Sequence, residues 1–349
     1  MKKQLLIVLL ITSAAFIYAY SDNPYFTISK KDVAVKYPAY FPKPVYNFEN
    51  NRPTPAGFVL GRMLFYDPIL SRDSSTSCAS CHQRFAAFAH IDHALSHGIN
   101  GLIGKRNVPA IQNMIWQSSF MWDGAVNHLE QQPLAPITNP VEMDNELITL
   151  MNKLQHSKIY PAMFYAAFSD SQITSQHFLQ AIAQFVGLMI SCNSKYDAVM
   201  QHKDSFTTDE SAGYQLFKQH CTSCHTEPLF TDNSFRNNGL KPDTTLHDLG
   251  RYNITHDATD SMKFKVPSLR NVELTYPYMH DGRFHKLEDV LAFYSVQSLH
   301  SGKADPLISN TINLTATEQQ QIITFLKTLT DKTFVYDRRF DDPSKQMQN

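Results

Sequence analysis

The sequence predicts an all-α protein made of two tandem units related by an internal repeat. Three observations predict it. Apolar residues recur at helical spacing, while alternation of period two is almost absent. Helix-start signals are frequent: Thr54 ahead of Pro55, and the capping boxes Thr207/Glu210 and Thr315/Glu318. A Cys-x-x-Cys-His group occurs twice, as Cys78-Ala79-Ser80-Cys81-His82 and as Cys221-Thr222-Ser223-Cys224-His225.

Two thiols at this spacing can add to the two vinyl groups of one haem, and the next histidine then lies beneath the iron as an axial ligand. Zinc is the alternative for paired cysteines, but zinc ligand sets cluster within a few tens of residues. These two groups lie 143 residues apart. Two covalently bound c-type haems are therefore expected, one per unit, and each unit is expected to be a c-type cytochrome-like haem domain. Of the five cysteines only Cys192 remains, and at the end of an apolar helical run it reads as a buried thiol.

The chain has 349 residues, a net charge of −1 and a pI near 6.9, so no nucleic-acid partner is expected. Lys2 and Lys3 precede a mainly apolar run from Leu5 to Tyr20. Residues 1–20 read as a secretory signal peptide, with an uncleaved N-terminal anchor as the alternative. Both place the remainder outside the cytoplasm, in the periplasm. No later segment is long and apolar enough to span a membrane.

Taken in order, residues 22–53 read as an extended lead-in wrapping the first unit. A helix runs from Pro55 to about Tyr66, with Val59, Met63 and Leu64 on its apolar face. Residues 67–77 form a polar loop, and 83–107 a long loop holding His90, His93 and His97; loops of that length are often functional. Helices are expected over Ala110–Gln117, Asp144–Leu154 and Thr174–Cys192. Residues 193–206 read as a polar connector, dividing a unit at 21–204 from one at 205–349. The second unit opens with a helix through Gly213, Leu216 and Phe217. A polar loop over 231–262 follows, then a helical run Leu287–Tyr294, a helix beginning at Thr315 and a polar tail after Thr330.

The repeat is detailed. Gly61-Arg62-Met63-Leu64-Phe65 leads to the first haem motif, and Gly213-Tyr214-Gln215-Leu216-Phe217 to the second. Val108-Pro109 before Asn113 matches Val266-Pro267 before Asn271. Met121-Trp122-Asp123-Gly124 matches Met279-His280-Asp281-Gly282, and Leu129-Glu130 matches Leu287-Glu288. The copies differ where chemistry would differ. Trp122 stands where the second copy has His280. Fourteen residues beyond His280 lies Tyr294, and fourteen beyond Trp122 lies Pro136, which cannot ligate iron. The second haem is thus expected to be closed by Tyr294 and the first to be open, as electron transfer and peroxide binding respectively require. Met279 is the rival ligand to Tyr294, and Met262 a weaker one.

These residues resemble the bacterial di-haem cytochrome c peroxidases and the related MauG proteins from about Gly61 to Tyr294. The carrying motifs include Arg106-Asn107-x-Pro109, Trp122-Asp123-Gly124, Leu129-Glu130-x-Gln132, Val141-Glu142-Met143, Phe264-Lys265-Val266-Pro267-Ser268-Leu269-Arg270-Asn271 and both haem motifs. The resemblance implies that His82 is proximal ligand of a peroxidatic haem, with Glu142, Gln132 and Pro136 in its distal pocket. Glu142 would move a proton between the peroxide oxygens. Trp122 would relay electrons between the haems. Asn107, with the carbonyls of Thr275 and Pro277, would hold a calcium ion.

Two departures from the peroxidase pattern stand out. A methionine usually lies opposite the second haem; Tyr294 is the residue here, as in the MauG branch. His97-Gly98 is the nearest match to a histidine that caps the resting first haem, in a loop stretched by about two residues relative to the family's spacing.

The implied function is a periplasmic peroxidase. It would reduce hydrogen peroxide with electrons from a small redox protein, a c-type cytochrome or cupredoxin, and a homodimer is compatible with it. The alternatives are a MauG-like oxidase acting on aromatic side chains of a protein, and a non-enzymatic di-haem electron carrier.

Overall fold

Helices and irregular segments dominate the computed structural model, which describes residues 28–296, 304–308 and 312–343. The expected leader, residues 1–20, lies outside them. Among the described residues no helix is long and apolar enough to cross a membrane. The principal helices are α1 (Pro55–Tyr66), α2 (Leu147–Gln155), α3 (Tyr160–Phe168), α4 (Ser175–Val186), α5 (Lys195–Met200), α6 (Thr208–His220), α7 (Leu287–Val296), α8 (Ala316–Lys327) and α9 (Lys332–Val335). The all-α expectation needs one small correction. Phe235–Arg236 and Phe264–Lys265 form a two-residue antiparallel ladder, with Phe235 opposite Lys265.

Each half is framed by the helix before its haem motif packed on its last long helix, α1 on α4 and α6 on α8. The helix starts follow the caps read from the sequence. Thr54 Oγ1 accepts from Gly57 N at 3.0 Å, and both capping boxes form. A glycine allows close approach at the same place in each pair. A Cβ on Gly61 would run into the Ala181 carbonyl and Phe185, and one on Gly213 into the Gln321 carbonyl and Phe325.

The repeat continues in the backbone. Asn113 and Asn271 both adopt left-handed conformation, at φ 54° and 58°, and each precedes a short 3-10 turn, Met114–Trp116 and Val272–Leu274. Each amide side chain then clamps the segment that follows the half's last long helix. Asn113 Oδ1 accepts from Ser191 N at 2.9 Å, and Asn271 Oδ1 accepts from Asp331 N at 2.7 Å. An asparagine tolerates this φ because its amide satisfies nearby backbone groups.

Several expectations are corrected. The helix over 110–117 is only the turn Met114–Trp116, because left-handed Asn113 breaks the run. Helix α4 ends at Val186 rather than Cys192. Helix α3, with Tyr160 and Phe164 fully buried, carried no signal strong enough to be expected. Residues 193–206 are not a mere connector. They hold α5, capped by Ser194 and Asp197, with Tyr196 and Asp197 buried. The segment after Thr330 is not a free polar tail either. Asp331 caps α9, and Phe334, Val335 and Phe340 are buried in the first apolar core beside Phe58, Phe88 and Phe185. The second core gathers Phe217, Phe230, Leu287, Leu291, Ile322, Phe325 and Leu326, and Tyr196 joins it from α5.

Arg270 and Asp197 tie α5 to the segment that precedes the Val272–Leu274 turn. Both side chains are fully buried and paired twice, at 2.8 and 2.9 Å. Burial alone would raise the Asp197 carboxyl. The Arg270 guanidinium and the Tyr40 hydroxyl, which donates to it at 2.5 Å, overcome that and hold it below its usual range. The pair's contribution is therefore present above the ordinary aspartate range and lost as pH falls through the depressed value. Removing one partner of such a pair leaves a buried charge uncompensated. Asp197→Ala is expected to destabilise the protein by about 3–5 kcal/mol in denaturant titration; a loss within error of wild type would contradict this role.

Candidate active site

One continuous cavity of about 690 Å³ is lined by residues of both haem motifs: Cys81 and His82 from the first, Cys221, Cys224 and His225 from the second. Cys78 packs at the edge of the first core. None of the five cysteines is in a disulfide, so all four motif thiols are available for thioether formation. Burial pushes the Cys78 and Cys221 thiols up to about 12 and the Cys81 thiol to about 11.

Both motif histidines are held at Nδ1 by backbone carbonyls. The Phe88 carbonyl, which can only accept, lies 2.8 Å from His82 Nδ1 and fixes the proton there. Nε2 is left with its lone pair. Burial pushes this imidazole down to about 4, so it is neutral at physiological pH. His225 Nδ1 is held likewise by the carbonyls of Phe230 at 3.1 Å and Pro267 at 3.2 Å. A carbonyl accepting from one ring nitrogen in this way orients an imidazole whose other nitrogen ligates metal. The wall also carries Lys105, Arg106 and Arg236, cations suited to a group bearing carboxylates, and Lys265, whose amine is buried. Lys265 Nζ donates to Gln117 Oε1 at 2.5 Å and to Ser119 O at 2.8 Å, and burial pushes it down to about 7. Thiols, imidazoles and cations in one cavity fit c-type haem.

Gln132, Pro136 and Glu142 line the cavity, with Glu142 close enough to Cys81 to act on its thiol. Burial raises the Glu142 carboxyl above its usual range; Asn139 Nδ2, donating to Oε1 at 3.0 Å, opposes the shift. The loop after the first motif lies against this segment. Ile99 N donates to the Glu142 carbonyl at 2.8 Å, and a Cβ on Gly98 would strike the backbone of Val141 and Glu142. His97 itself is not in the cavity wall. Its ring lies 4.2 Å from that of His93, and its carbonyl lies 3.4 Å from Cys81 Sγ.

Trp122 and His280 lie on a seam between the halves. Trp122 Nε1 donates to Asn107 O at 2.8 Å, and Lys265 N donates to Trp122 O at 2.7 Å. Asn107 N donates to His280 O at 2.7 Å. The His280 ring stacks on Phe264 at 3.7 Å and 12°, and burial pushes it down to about 4. Arg106 braces the seam, bonding Asp248 at 2.6 and 2.7 Å and Asp123 at 2.5 Å. Neither aspartate partner was apparent from sequence, because nothing local marks Asp248 as a partner of a residue 142 positions away. Asn107, Thr275 and Pro277 also line the cavity. Asn107 Nδ2 donates to Ala94 O at 2.9 Å, which turns its oxygen away from that carbonyl.

Tyr294, Met279 and Asn238 form the wall on the side of the second motif. Burial pushes the Tyr294 phenol up to about 12. Asn238 Nδ2 lies 3.4 Å from Tyr294 Oη and 3.5 Å from Met279 Sδ, so both rival ligands are present, side by side. Met262 is buried outside the wall. Asn238 sits in the stretch read as polar loop, and sequence reasoning missed it.

Comparison with known proteins agrees with this geometry. The model of the di-haem cytochrome c peroxidase family matches residues 55–205. The methylamine utilization protein MauG of Methylorubrum extorquens is 33% identical over 298 residues, covering 82% of each chain. The cytochrome c551 peroxidase of Nitrosomonas europaea is 33% identical over 276 residues, covering 78% of this chain and 79% of that one. A crystal structure of a MauG-like protein associated with microbial copper homeostasis superposes with a TM-score of 0.82 at 32% identity, covering 89% of this chain and 100% of the other. The fold is the MauG-like di-haem peroxidase fold, and the family implies two c-type haems. The chain belongs to the di-haem cytochrome c peroxidase and MauG family.

Proposed function

We propose that this protein is an exported, periplasmic peroxidase with two tandem haem units, reducing hydrogen peroxide at the first with electrons delivered through the second by a small redox protein. The observation that carries the reading is the asymmetry of the cavity wall. On the side of the first motif stand Pro136, Gln132 and a buried carboxyl, Glu142; on the side of the second stand Tyr294 and Met279. When bound, haem supplies the redox iron that cleaves the O–O bond. Glu142 takes the proton from one peroxide oxygen and returns it to the other, and Gln132 orients the bound molecule by hydrogen bonding. Trp122, hydrogen-bonded to both halves, relays electrons across the seam.

A second reading is favoured by Tyr294. A phenolate ligand lowers an iron's potential and suits higher oxidation states. On this reading the protein resembles the MauG relatives in mechanism and draws its electrons from aromatic side chains of a protein substrate.

A calcium ion is proposed at Asn107 with the carbonyls of Thr275 and Pro277. Among the described residues no cluster of three or more His, Cys, Asp or Glu is arranged to hold a metal. The proposed donors are instead one amide and two carbonyls, which suit a hard cation.

Glu142→Gln is expected to retain both haems by intact mass, while peroxide-dependent oxidation of a reduced donor falls by about 10²–10⁴-fold; undiminished turnover would remove Glu142 from the mechanism. Because only the carboxylate form can accept a proton and burial raises its pKa, activity is lost as pH falls through that raised value. The acidic limb of the wild-type rate profile thus lies above the ordinary glutamate range, and the Gln variant lacks it.

Peroxide added to the fully oxidised protein discriminates the two readings. A long-lived state oxidised at both haems, followed by optical spectroscopy, supports the MauG-like one. A requirement for one prior electron supports the peroxidase.

Chelation followed by dialysis is expected to lower Tm, and calcium, but not magnesium, to restore it. An unchanged Tm would remove the calcium site.

A further inference from the structure

We propose that Asn238 is the positioning residue that holds Tyr294, rather than Met279, on the iron of the second haem. The inference rests on the reading of Tyr294 as that haem's axial ligand and names what selects it.

The orientation of the Asn238 side chain is set by its own backbone. Its Oδ1 accepts from Leu240 N at 3.2 Å, inside a turn closed by Asn237 Oδ1 accepting from Gly239 N at 2.9 Å. Gly239 has φ 79°, and Asn237 O further accepts from Asp305 N at 2.8 Å. With the amide oxygen committed to a backbone N–H, the NH2 end must face the cavity. There its nitrogen lies 3.4 Å from Tyr294 Oη and 3.5 Å from Met279 Sδ. One donor group thus reaches both candidate ligands.

The two contacts have unequal consequences. A phenolate oxygen has lone pairs for both an N–H donor and a metal, and a hydrogen bond to an anion is roughly twice as strong as one between neutral groups. A thioether is a neutral, weak acceptor, so the same N–H adds little to sulfur ligation. The amide therefore favours oxygen over sulfur ligation. The first half presents a related contact: Gln132 Nε2 lies 3.9 Å from the sulfur of Met121, the residue aligned with Met279. No tyrosine stands at the aligned place there, which is Pro136.

The test uses the full-length protein carrying both haems. Asn238→Leu removes the donor, and Asn238→Asp keeps the shape while replacing the donor with an acceptor. Haem count and far-UV circular dichroism verify folding. Ferric optical and paramagnetic-resonance spectra, with the midpoint potential of each haem from redox titration, are the readouts. Both variants are expected to lose the tyrosinate signature in favour of a thioether-ligated ferric haem, with an upward shift in that haem's potential. Adding Met279→Leu to either variant is expected to abolish the thioether signature.

If Tyr294→Phe alters the wild-type spectrum while both Asn238 variants keep the wild-type spectrum and potential, the selecting role is overturned and the ligand assignment stands. If Tyr294→Phe leaves the spectrum unaltered, the ligand assignment fails and the inference fails with it.

Discussion

Two reciprocal hydrogen bonds hold the cavity together. Asn107 N donates to His280 O and Lys265 N donates to Trp122 O, each at 2.7 Å. In each half the donor is the residue before Val-Pro, and the acceptor is the aromatic residue of the Asp-Gly turn in the other half. Proline holds the preceding valine extended and contributes no N–H of its own, so the bond across the seam falls to the residue before. The turn glycines complete the exchange. Gly124 and Gly282 both have positive φ, and a Cβ on either would strike the opposite half, Phe235 and Arg251 in one case and Ala94 in the other. Each half therefore supplies part of the other's wall.

This symmetric frame carries asymmetric side chains, and the chemistry lies in that difference. The same turn presents an indole once and an imidazole once. The segment after it presents Pro136 near Glu142 in one copy and Tyr294 near Asn238 in the other. The repeated frame brings two Cys-x-x-Cys-His motifs to one cavity, and on the proposed reading the differences in the wall divide their roles. The buried charges help to keep the frame rigid. Arg106 is braced between two aspartates at the seam, and Arg270 is paired with Asp197 behind the second motif. Paired, hydrogen-bonded ions of this kind resist rearrangement because separating them would strand a charge in a dry interior.

The covalent and local features were legible in the chain. The haem motifs and the helix caps at Thr54, Thr207 and Thr315 depend on residues a few positions apart, and the repeat shows on aligning the two copies. The candidate pocket was legible for a different reason. Glu142, Gln132, Pro136, Trp122 and Tyr294 were found by comparing the two copies and by family resemblance, and the structure brings all of them to one cavity.

What tertiary structure alone decided are the pairings across long stretches of chain. Asn238 meets Tyr294 over 56 positions, Arg106 meets Asp248 over 142, and Arg270 meets Asp197 over 73. A polar residue in a loop has no periodicity, so nothing local announces its partner. The same limit explains why residues 195–200 and the segment after Thr330 read as polar surface although Tyr196, Phe334 and Phe340 are buried. The sequence by itself determined the two Cys-x-x-Cys-His motifs and the repeat, because a motif is a run of neighbouring residues and a repeat shows on aligning one copy with the other. The fold decided which side chains share the cavity with each motif, because that depends on how two copies of one frame close upon each other.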